Sequence, residues 1–188
     1  MIAGSARGRT LKGPPRVRES GRPGIRPTSD LVRGVIFDIL DALGADYTRV
    51  LDLYAGTGAL GIEALSRGDG TADFVDTDAS AVATIKANLD LTGFTARAAV
   101  HRMPAERAMS RLTGPYTLVL LDPPYYDVDA FAMADAVATS SLTDDESVLV
   151  VEHRRDVDAE THVGTLPLYR SRRHGDTVVS IYAQEGTT

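Results

Sequence analysis

The stretch Asp52-Leu53-Tyr54-Ala55-Gly56-Thr57-Gly58-Ala59-Leu60-Gly61 decides the fold of this chain. It joins an apolar run at residues 50–54, typical of a buried strand, to a helical pattern at residues 59–67. The glycines at 56 and 58 allow a tight turn between the two elements and leave the backbone open to a ligand. A strand, a glycine turn and a helix in this order predict the first βα unit of a parallel sheet.

Strands and helices alternate in the same way along most of the chain. Strands are predicted at residues 72–76, 97–102, 116–122 and 147–152, and helices at 29–43, 78–91, 105–112 and 128–139. The last two strand-like runs, 166–173 and 177–183, are separated by only three residues and must pair antiparallel. We therefore predict an α/β fold: a doubly wound, mostly parallel seven-stranded sheet with an antiparallel C-terminal hairpin.

Length and composition limit the classes of protein to consider. With 188 residues, 43% of them hydrophobic and 24% charged, the chain fits one globular domain. The absence of cysteine excludes disulfides and thiolate nucleophiles, and the four histidines lack metal-binding spacing, so we expect no metal. No apolar run reaches the roughly 20 residues of a transmembrane helix, and the first residues lack the apolar core of a signal peptide. We expect a cytoplasmic protein.

The charge is distributed unevenly. Residues 1–33 hold eight basic and two acidic residues, a net charge of +6, whereas the remaining 12 basic and 24 acidic residues give −12. We divide the chain into a basic arm at residues 1–27 and a catalytic domain at residues 28–188. The arm is rich in glycine and proline, so we expect it to stay unpacked, or to form a short hairpin, until it binds a partner. Taken alone, the charge run favours an ordinary solvated tail over a polyanion-binding arm.

Two acidic residues accompany the glycine turn. Asp52 precedes it and would repel a pyrophosphate, but it would attract the ammonium group of S-adenosylmethionine. Asp76 ends the next predicted strand, where a carboxylate can accept hydrogen bonds from both hydroxyls of a ribose. The adenine is expected against apolar side chains near Met103. The sequence thus predicts an S-adenosylmethionine site, with the candidates Asp52, Tyr54, Ala55, Gly56, Gly58, Asp76 and Met103.

A second motif, Asp122-Pro123-Pro124-Tyr125, stands at the carboxyl end of the fourth predicted strand. Its two prolines fix the backbone and present carbonyl groups to the cleft. If Asp122 and the Pro123 carbonyl accept both N–H bonds of a nucleobase amine, the nitrogen lone pair turns toward a methyl donor, and Tyr125 can stack on the base. Alone, the four residues could be a Pro-rich turn that ends a strand. Together with the glycine turn, Asp52 and Asp76 they predict an amine methyltransferase whose catalytic candidates are Asp122, Pro123, Pro124 and Tyr125.

Three other functions share part of this pattern. An adenine-N6 or protein-glutamine methyltransferase would use the same cofactor fold, but such enzymes more often carry Asn at the first position of the tetrad. A nicotinamide-dependent dehydrogenase would share the Gly56-x-Gly58-x-x-Gly61 fingerprint, but Asp52 disfavours it and the tetrad would have no role. A non-enzymatic RNA-binding module would explain the basic arm alone.

Four segments together carry a family resemblance: Gly8-Arg9 with Leu11; Arg26-Pro27-Thr28 leading into Val32-Arg33 and Phe37; Asp52-x-x-Ala55-Gly56-x-Gly58-Ala59-Leu60-Gly61-x-Glu63-Ala64-Leu65-Ser66-Arg67-Gly68; and the tetrad. On these segments the chain resembles the RsmD-type family of ribosomal RNA guanine-N2 methyltransferases over almost its whole length. The resemblance implies a class I S-adenosylmethionine-dependent methyltransferase with a Rossmann-like fold. It implies methylation of one guanine, nucleotide 966, in the 16S ribosomal RNA of the small subunit.

The resemblance also implies roles for individual residues. Cofactor binding falls to Asp52, Gly56, Gly58 and Asp76, and amine binding to Asp122, Pro123 and Tyr125. Arg26 and Thr28 take a looser role in closing the cleft beside the cofactor.

RNA binding by an acidic body requires a cationic segment, because a net charge of −12 would repel phosphates. The RNA-binding candidates are Arg7, Arg9, Lys12, Arg16, Arg18 and Arg26. A second, weaker patch comprises Arg170, Arg172, Arg173 and His174, and an ordinary solvated edge strand explains it about as well. The expected partner is small-subunit ribosomal RNA or the 30S particle, bound by a monomer.

Overall fold

The computed structural model of the chain describes residues 1–13, 30–124 and 129–184. Within these ranges the helices are α1 (Asp30–Leu43), α2 (Ala59–Arg67), α3 (Ala79–Thr92), α4 (Ala105–Arg111) and α5 (Ala130–Ala138). The strands are β1 (Arg49–Leu53), β2 (Thr71–Asp76), β3 (Ala98–Arg102), β4 (Leu118–Leu121), β5 (Val148–Arg154), β6 (His162–Val163), β7 (Leu166–His174) and β8 (Thr177–Tyr182).

The strands form one sheet in the order β3-β2-β1-β4-β5-β8-β7-β6. Strands β1 to β5 are parallel, whereas β8 pairs antiparallel with both β5 and β7. The strand order reverses beside β1, as in a doubly wound fold, so the predicted mixed sheet with a C-terminal hairpin is confirmed. The described ranges contain one strand more than the seven predicted, because β6 has only two residues and shows no periodic pattern.

Helices cover both faces of the sheet, and the alternation of side chains along β1 distinguishes the two faces. Val50 packs with α1, α2 and α3 in a cluster that includes Phe74 of β2. Leu51 and Leu53 point the other way, into a cluster formed with α4 and α5. These two sides are named the α1–α3 face and the α4–α5 face. Asp52 lies two residues after Val50 and therefore belongs to the α1–α3 face.

The ends of α3 illustrate how local sequence sets the helix limits. Asp78 caps this helix by accepting hydrogen bonds from the N–H groups of Ser80 and Ala81, at 2.6 and 2.9 Å. Gly93 ends it with a φ of 83°, and its N–H donates to carbonyls of the last turn. In the described ranges the predicted helix limits are confirmed to within two residues, and no helix there is long and apolar enough to cross a membrane.

Residues 1–13, the first part of the basic arm, pack against α2 and α3. The N–H groups of Ile2 and Ala3 donate to the two carboxylate oxygens of Glu63, each at 2.9 Å, and Ala6 is buried. The expectation that the arm stays unpacked until it binds a partner is therefore wrong for residues 1–13. The local composition could not reveal the packing, because the partners lie about 60 positions further along the chain.

Candidate active site

The register of the sheet brings several candidate residues to its carboxyl edge. Leu53, the last residue of β1, pairs on one side with the residue before Asp76 and on the other with the residue before Asp122. Asp76, Tyr54 and Asp122 therefore follow one another along this edge, and Asp52 lies two residues behind them. The carboxyl edge beside a reversal of strand order is where doubly wound sheets bind their ligands.

Asp52 is a buried carboxylate in the centre of this edge. Only 1% of the residue is exposed, and its Oδ2 accepts a hydrogen bond from the N–H of Gly61 at 2.9 Å. Burial raises the pKa of Asp52 well above its usual range, the charges of Asp122 and Asp76 raise it further, and the bond from Gly61 lowers it. Such a carboxylate is suited to a cationic ligand, because a bound positive charge would stabilise its ionised form.

The glycine turn leaves open space above the backbone of Gly56. Among the atoms of residues 1–13, 30–124 and 129–184, a Cβ atom on Gly56 would meet only the Tyr54 carbonyl oxygen, at 3.9 Å. Gly56 and Gly58 have φ angles of 55° and 75°, which glycine adopts without strain, and Ala55 is buried beside them. Asp76 holds the turn, because its Oδ2 accepts a hydrogen bond from the N–H of Gly56 at 2.8 Å. A ligand can therefore approach the backbone closely at this point.

Tyr54 carries a polar group without a partner. Its φ of 59° is uncommon for a residue with a side chain. Within the described residues its hydroxyl oxygen is buried and forms no hydrogen bond. Burial raises the pKa of this hydroxyl to about 12, and the charge of Glu106 contributes less. Because buried polar groups are nearly always hydrogen-bonded, this hydroxyl is suited to a polar group of a ligand.

The residues at this edge fit the chemistry of S-adenosylmethionine. Asp52 is placed to hold an ammonium group. Each carboxylate oxygen of Asp76 accepts one backbone N–H and has capacity for a further hydrogen bond, as two ribose hydroxyls would require. Met103 brings a half-buried apolar side chain next to Asp76, since its N–H donates to the Asp76 carbonyl at 3.1 Å.

The tetrad begins directly after β4. Asp122 is half-buried, Pro123 is buried and Pro124 is exposed. Because β4 and β5 are paired up to the preceding residues, the buried Glu152 lies in the row beside Asp122. Glu152 was not among the predicted site residues, although a charged residue in an otherwise apolar strand is a detectable signal.

Five predicted site residues lie outside the described ranges, so their roles stay predictions: Tyr125, Arg16, Arg18, Arg26 and Thr28. The domain boundary at residue 27 falls in the same gap and also stays a prediction. The other arm candidates are exposed on the packed segment: Arg7, Arg9 and Lys12. Among the described residues, no group of three or more His, Asp or Glu side chains is placed to hold a metal ion.

Asn88 of α3 connects the packed arm to the glycine turn, a role that the sequence analysis missed. Its Nδ2 donates to the carbonyl of Thr57 in the turn at 2.9 Å and to that of Lys12 at 3.1 Å. Its Oδ1 accepts from the N–H of Lys12 at 2.8 Å. The signal was available, because Asn88 is a polar residue on the inward stripe of a helix, between the apolar positions of Ile85 and Leu89.

Comparison with known proteins identifies the family. The model of a family described as "Conserved hypothetical protein 95", the RsmD family, matches residues 1–183. The chain belongs to this family. It is 38% identical over 190 residues to YlbH of Bacillus subtilis (strain 168), with 99% of each chain covered. It is 30% identical over 188 residues to Ribosomal RNA small subunit methyltransferase D of Escherichia coli (strain K12), covering 98% of this chain and 89% of that protein.

Solved structures agree with the RsmD family assignment. YhhF from Escherichia coli superimposes with a TM-score of 0.81 at 28% identity, covering 100% of this chain and 98% of that one. An RNA methyltransferase from Salinibacter ruber, solved with S-adenosyl-L-homocysteine, has a TM-score of 0.62 at 15% identity, covering 87% and 97% of the two chains. The second likeness concerns the fold alone. The predicted class I, Rossmann-like methyltransferase fold is confirmed.

Proposed function

We propose that the chain is an S-adenosylmethionine-dependent methyltransferase that modifies the exocyclic N2 of a guanine, nucleotide 966, in 16S ribosomal RNA. The observation that carries the proposal is the row of Asp76, Tyr54 and Asp122, with the buried Asp52 behind it. Candidate cofactor ligands and the candidate amine ligand thus meet at one edge. The name of the Escherichia coli relative supports small-subunit ribosomal RNA as the substrate, and the guanine follows from the family resemblance.

On the donor side, the chain's task is to bind and orient. S-adenosylmethionine, when bound, supplies a methyl group on a positively charged sulfur. Asp52 would hold the ammonium group and Asp76 the ribose hydroxyls, while the open backbone at Gly56 would let the cofactor lie across the turn. Orientation of this kind contributes much of the rate of a two-substrate reaction.

On the acceptor side, Asp122 and the Pro123 carbonyl would accept the two N–H bonds of the guanine N2. The amine lone pair would then point at the donor's methyl carbon, which would exchange its bond to sulfur for a bond to nitrogen. The negative charge of Asp122 would stabilise the positive charge that develops on nitrogen, and Asp122 could then take the proton. Tyr125 would stack on a base turned out of its helix.

The proposed partner is naked 16S ribosomal RNA or the 30S particle, bound in the cytoplasm by a monomer. The exposed side chains of Arg7, Arg9 and Lys12 support this proposal, because they place positive charge on a protein whose residues 34–188 carry a net negative charge. Their backbone is held by the packing of residues 1–13, so we expect RNA to meet these charges in a defined position.

Transfer of labelled methyl groups tests the function. The purified chain is incubated with labelled S-adenosylmethionine and with 16S RNA or 30S particles from a strain that lacks the endogenous enzyme. We expect one methyl group per RNA at N2 of a single guanine, and none on particles that already carry the modification. Label on adenine N6 or on a protein glutamine would favour the alternative methyltransferase classes. Cofactor binding without any transfer to RNA would refute the proposal.

Asp52→Asn is expected to weaken S-adenosylmethionine binding by about tenfold or more while stabilising the cofactor-free protein. The affinity falls because a charged hydrogen bond to the ammonium group is lost. The stability rises because the raised pKa of Asp52 makes the folded state bind a proton more tightly than the unfolded state. The contribution of Asp52 to the stability of the unsubstituted protein should thus decline as the pH rises above the unfolded pKa of an aspartate.

Calorimetric titration with the cofactor and thermal unfolding between pH 4 and pH 8 measure both effects of this substitution, with that range set by the ordinary aspartate pKa of about 4. Asp38→Asn, an exposed position on α1, serves as the control and should change neither quantity. If Asp52→Asn keeps the original cofactor affinity, Asp52 does not bind the ammonium group.

A further inference from the structure

We propose that β7 carries a second phosphate-binding surface for the RNA substrate, formed by Arg170 and Arg172 with Arg173 beside them at the end of the strand, and named here the β7 arginine patch. This inference rests on the proposed function, because it concerns how the same RNA is held beside the amine site. Guanidinium groups are suited to this task, since they stay charged and donate two parallel hydrogen bonds to phosphate oxygens.

The register of the sheet sets Arg172 in the same row as Asp122. Asp122, the residue after β4, lies beside Glu152 of β5. Glu152 pairs with Val179 of β8, and Val179 pairs with Arg172 of β7. Residues paired in this way point to one face of the sheet, and Val179 belongs to the α1–α3 face. Arg170 shares this face through its pairing with Ile181, whereas Arg173 pairs with Val178 and points to the opposite face. With strands about 4.8 Å apart, three spacings separate Asp122 and Arg172 by roughly 14 Å. The RNA backbone next to a base bound at Asp122 can reach across this distance.

The direction of β7 brings its basic end to the same edge. Since β8 is antiparallel to both β5 and β7, β7 runs parallel to β5 and ends at the carboxyl edge. Its first four residues are uncharged, and its arginines are the fifth, seventh and eighth of its nine residues. The charge is therefore concentrated near the candidate site instead of being spread along the strand.

The charges of the patch are available to a ligand. All three arginines are exposed, and none of them forms an ion pair with an acid of residues 1–13, 30–124 or 129–184. By contrast, two arginines at the end of β5 are paired: Arg154 with Asp156 at 2.5 Å and Arg155 with Asp176 at 3.0 Å. The ion pairs thus neutralise the arginines at the end of β5, whereas the arginines of β7 keep their positive charge on the same edge of the sheet.

Protection of a free edge is the competing explanation. Among the described residues, β6 pairs with β7 only at Leu166 and Pro167, so within that part of the chain the rest of β7 is an edge strand. Charged side chains on such a strand oppose pairing with other chains. Protection of the edge strand would not require its arginines to lie in the same row of the sheet as Asp122. On a body of net negative charge, a local positive surface at that position favours a polyanion.

The test compares three variants, Arg170→Gln, Arg172→Gln and the double variant that carries both, with the control variant Lys86→Gln. Lys86 is an exposed cation on α3, which packs on β2 and β3 at the other end of the sheet from β7. Affinity for 16S RNA is measured over a series of KCl concentrations. We expect each arginine substitution to reduce the slope of log affinity against log salt by about 0.7–0.9. The double variant should raise the KM for RNA about tenfold at unchanged kcat, and Lys86→Gln should keep the original slope.

Several outcomes would overturn the proposal. Arginine variants whose salt slope and KM match those of Lys86→Gln would show that no phosphate is bound there. Unchanged RNA affinity with a new tendency to aggregate would identify the patch as edge protection. Unchanged RNA affinity with lost binding to polyglutamate would assign it to an acidic protein. If the unsubstituted chain methylates no RNA, the proposed function fails, and the salt slopes still decide the patch.

Discussion

Asp122→Ala is expected to abolish methyl transfer, lowering kcat by about a thousandfold or more. The substitution removes an acceptor for the amine N–H and the negative charge that would stabilise the developing positive charge on nitrogen. Cofactor affinity should change by no more than a few-fold, because the proposed role of Asp122 is to bind the acceptor amine and not the cofactor. Loss of its charge also removes one of the influences that raise the pKa of Asp52, which favours the ionised form of that candidate cofactor ligand.

Single-turnover kinetics with 16S RNA and calorimetry with S-adenosylmethionine separate these two effects. Asp122→Asn is the matched variant, since it keeps an acceptor oxygen but not the charge, and its rate should lie between those of the unsubstituted protein and Asp122→Ala. An alanine variant that turns over at the original rate would exclude the tetrad mechanism.

Glu63→Ala is expected to lower the free energy of unfolding by about 3–5 kcal/mol, because it removes one partner of a buried ion-pair cluster. Glu63 is fully buried, and its carboxylate lies 3.0 Å from Nε of Arg67 and 3.5 Å from Nε of Arg33. Both arginine side chains are less than a tenth exposed, so their charges would lose a compensating partner. The N–H groups of Ile2 and Ala3 would also lose their acceptor.

Denaturant unfolding measures this loss, and Asp41→Asn supplies the comparison. Asp41 also pairs with Arg67, but its side chain is 48% exposed, so its loss should cost at most about 1 kcal/mol. Proteolysis adds a second readout. Release of residues 1–13 in Glu63→Ala should let trypsin cleave the backbone after Arg7 and Arg9. Equal stability of the two variants would contradict the assigned role of Glu63.

The sheet was predictable because its signals are local. The run 116–122 is apolar enough to require burial on both faces, and it became β4 in the centre of the sheet. Three residues between the last two strands left antiparallel pairing as the only arrangement. Asp78 and Gly93 limited α3 through hydrogen bonds within a few positions of themselves. Such features depend on neighbours along the chain, which periodicity reports directly.

The candidate site was predictable only in part. Asp52, Asp76 and Asp122 could be placed because each stands at the end of a predicted strand, and parallel strands bring those ends together. Asn88 and the docking of the arm could not be placed in the same way, because their contacts join residues up to 82 positions apart. Amino-acid composition indicated an unpacked arm. Composition does not report that backbone N–H groups of the arm donate hydrogen bonds to a buried carboxylate far along the chain.

The contact between Lys12 and Asn88 has a consequence for how the protein is made. At about 5–20 residues per second, a ribosome needs about 4–15 s to synthesise the intervening stretch of chain. During that interval residues 1–13 lack the contacts that they make with α3 in the folded structure. Docking of this basic segment is therefore completed only after α3 has been synthesised.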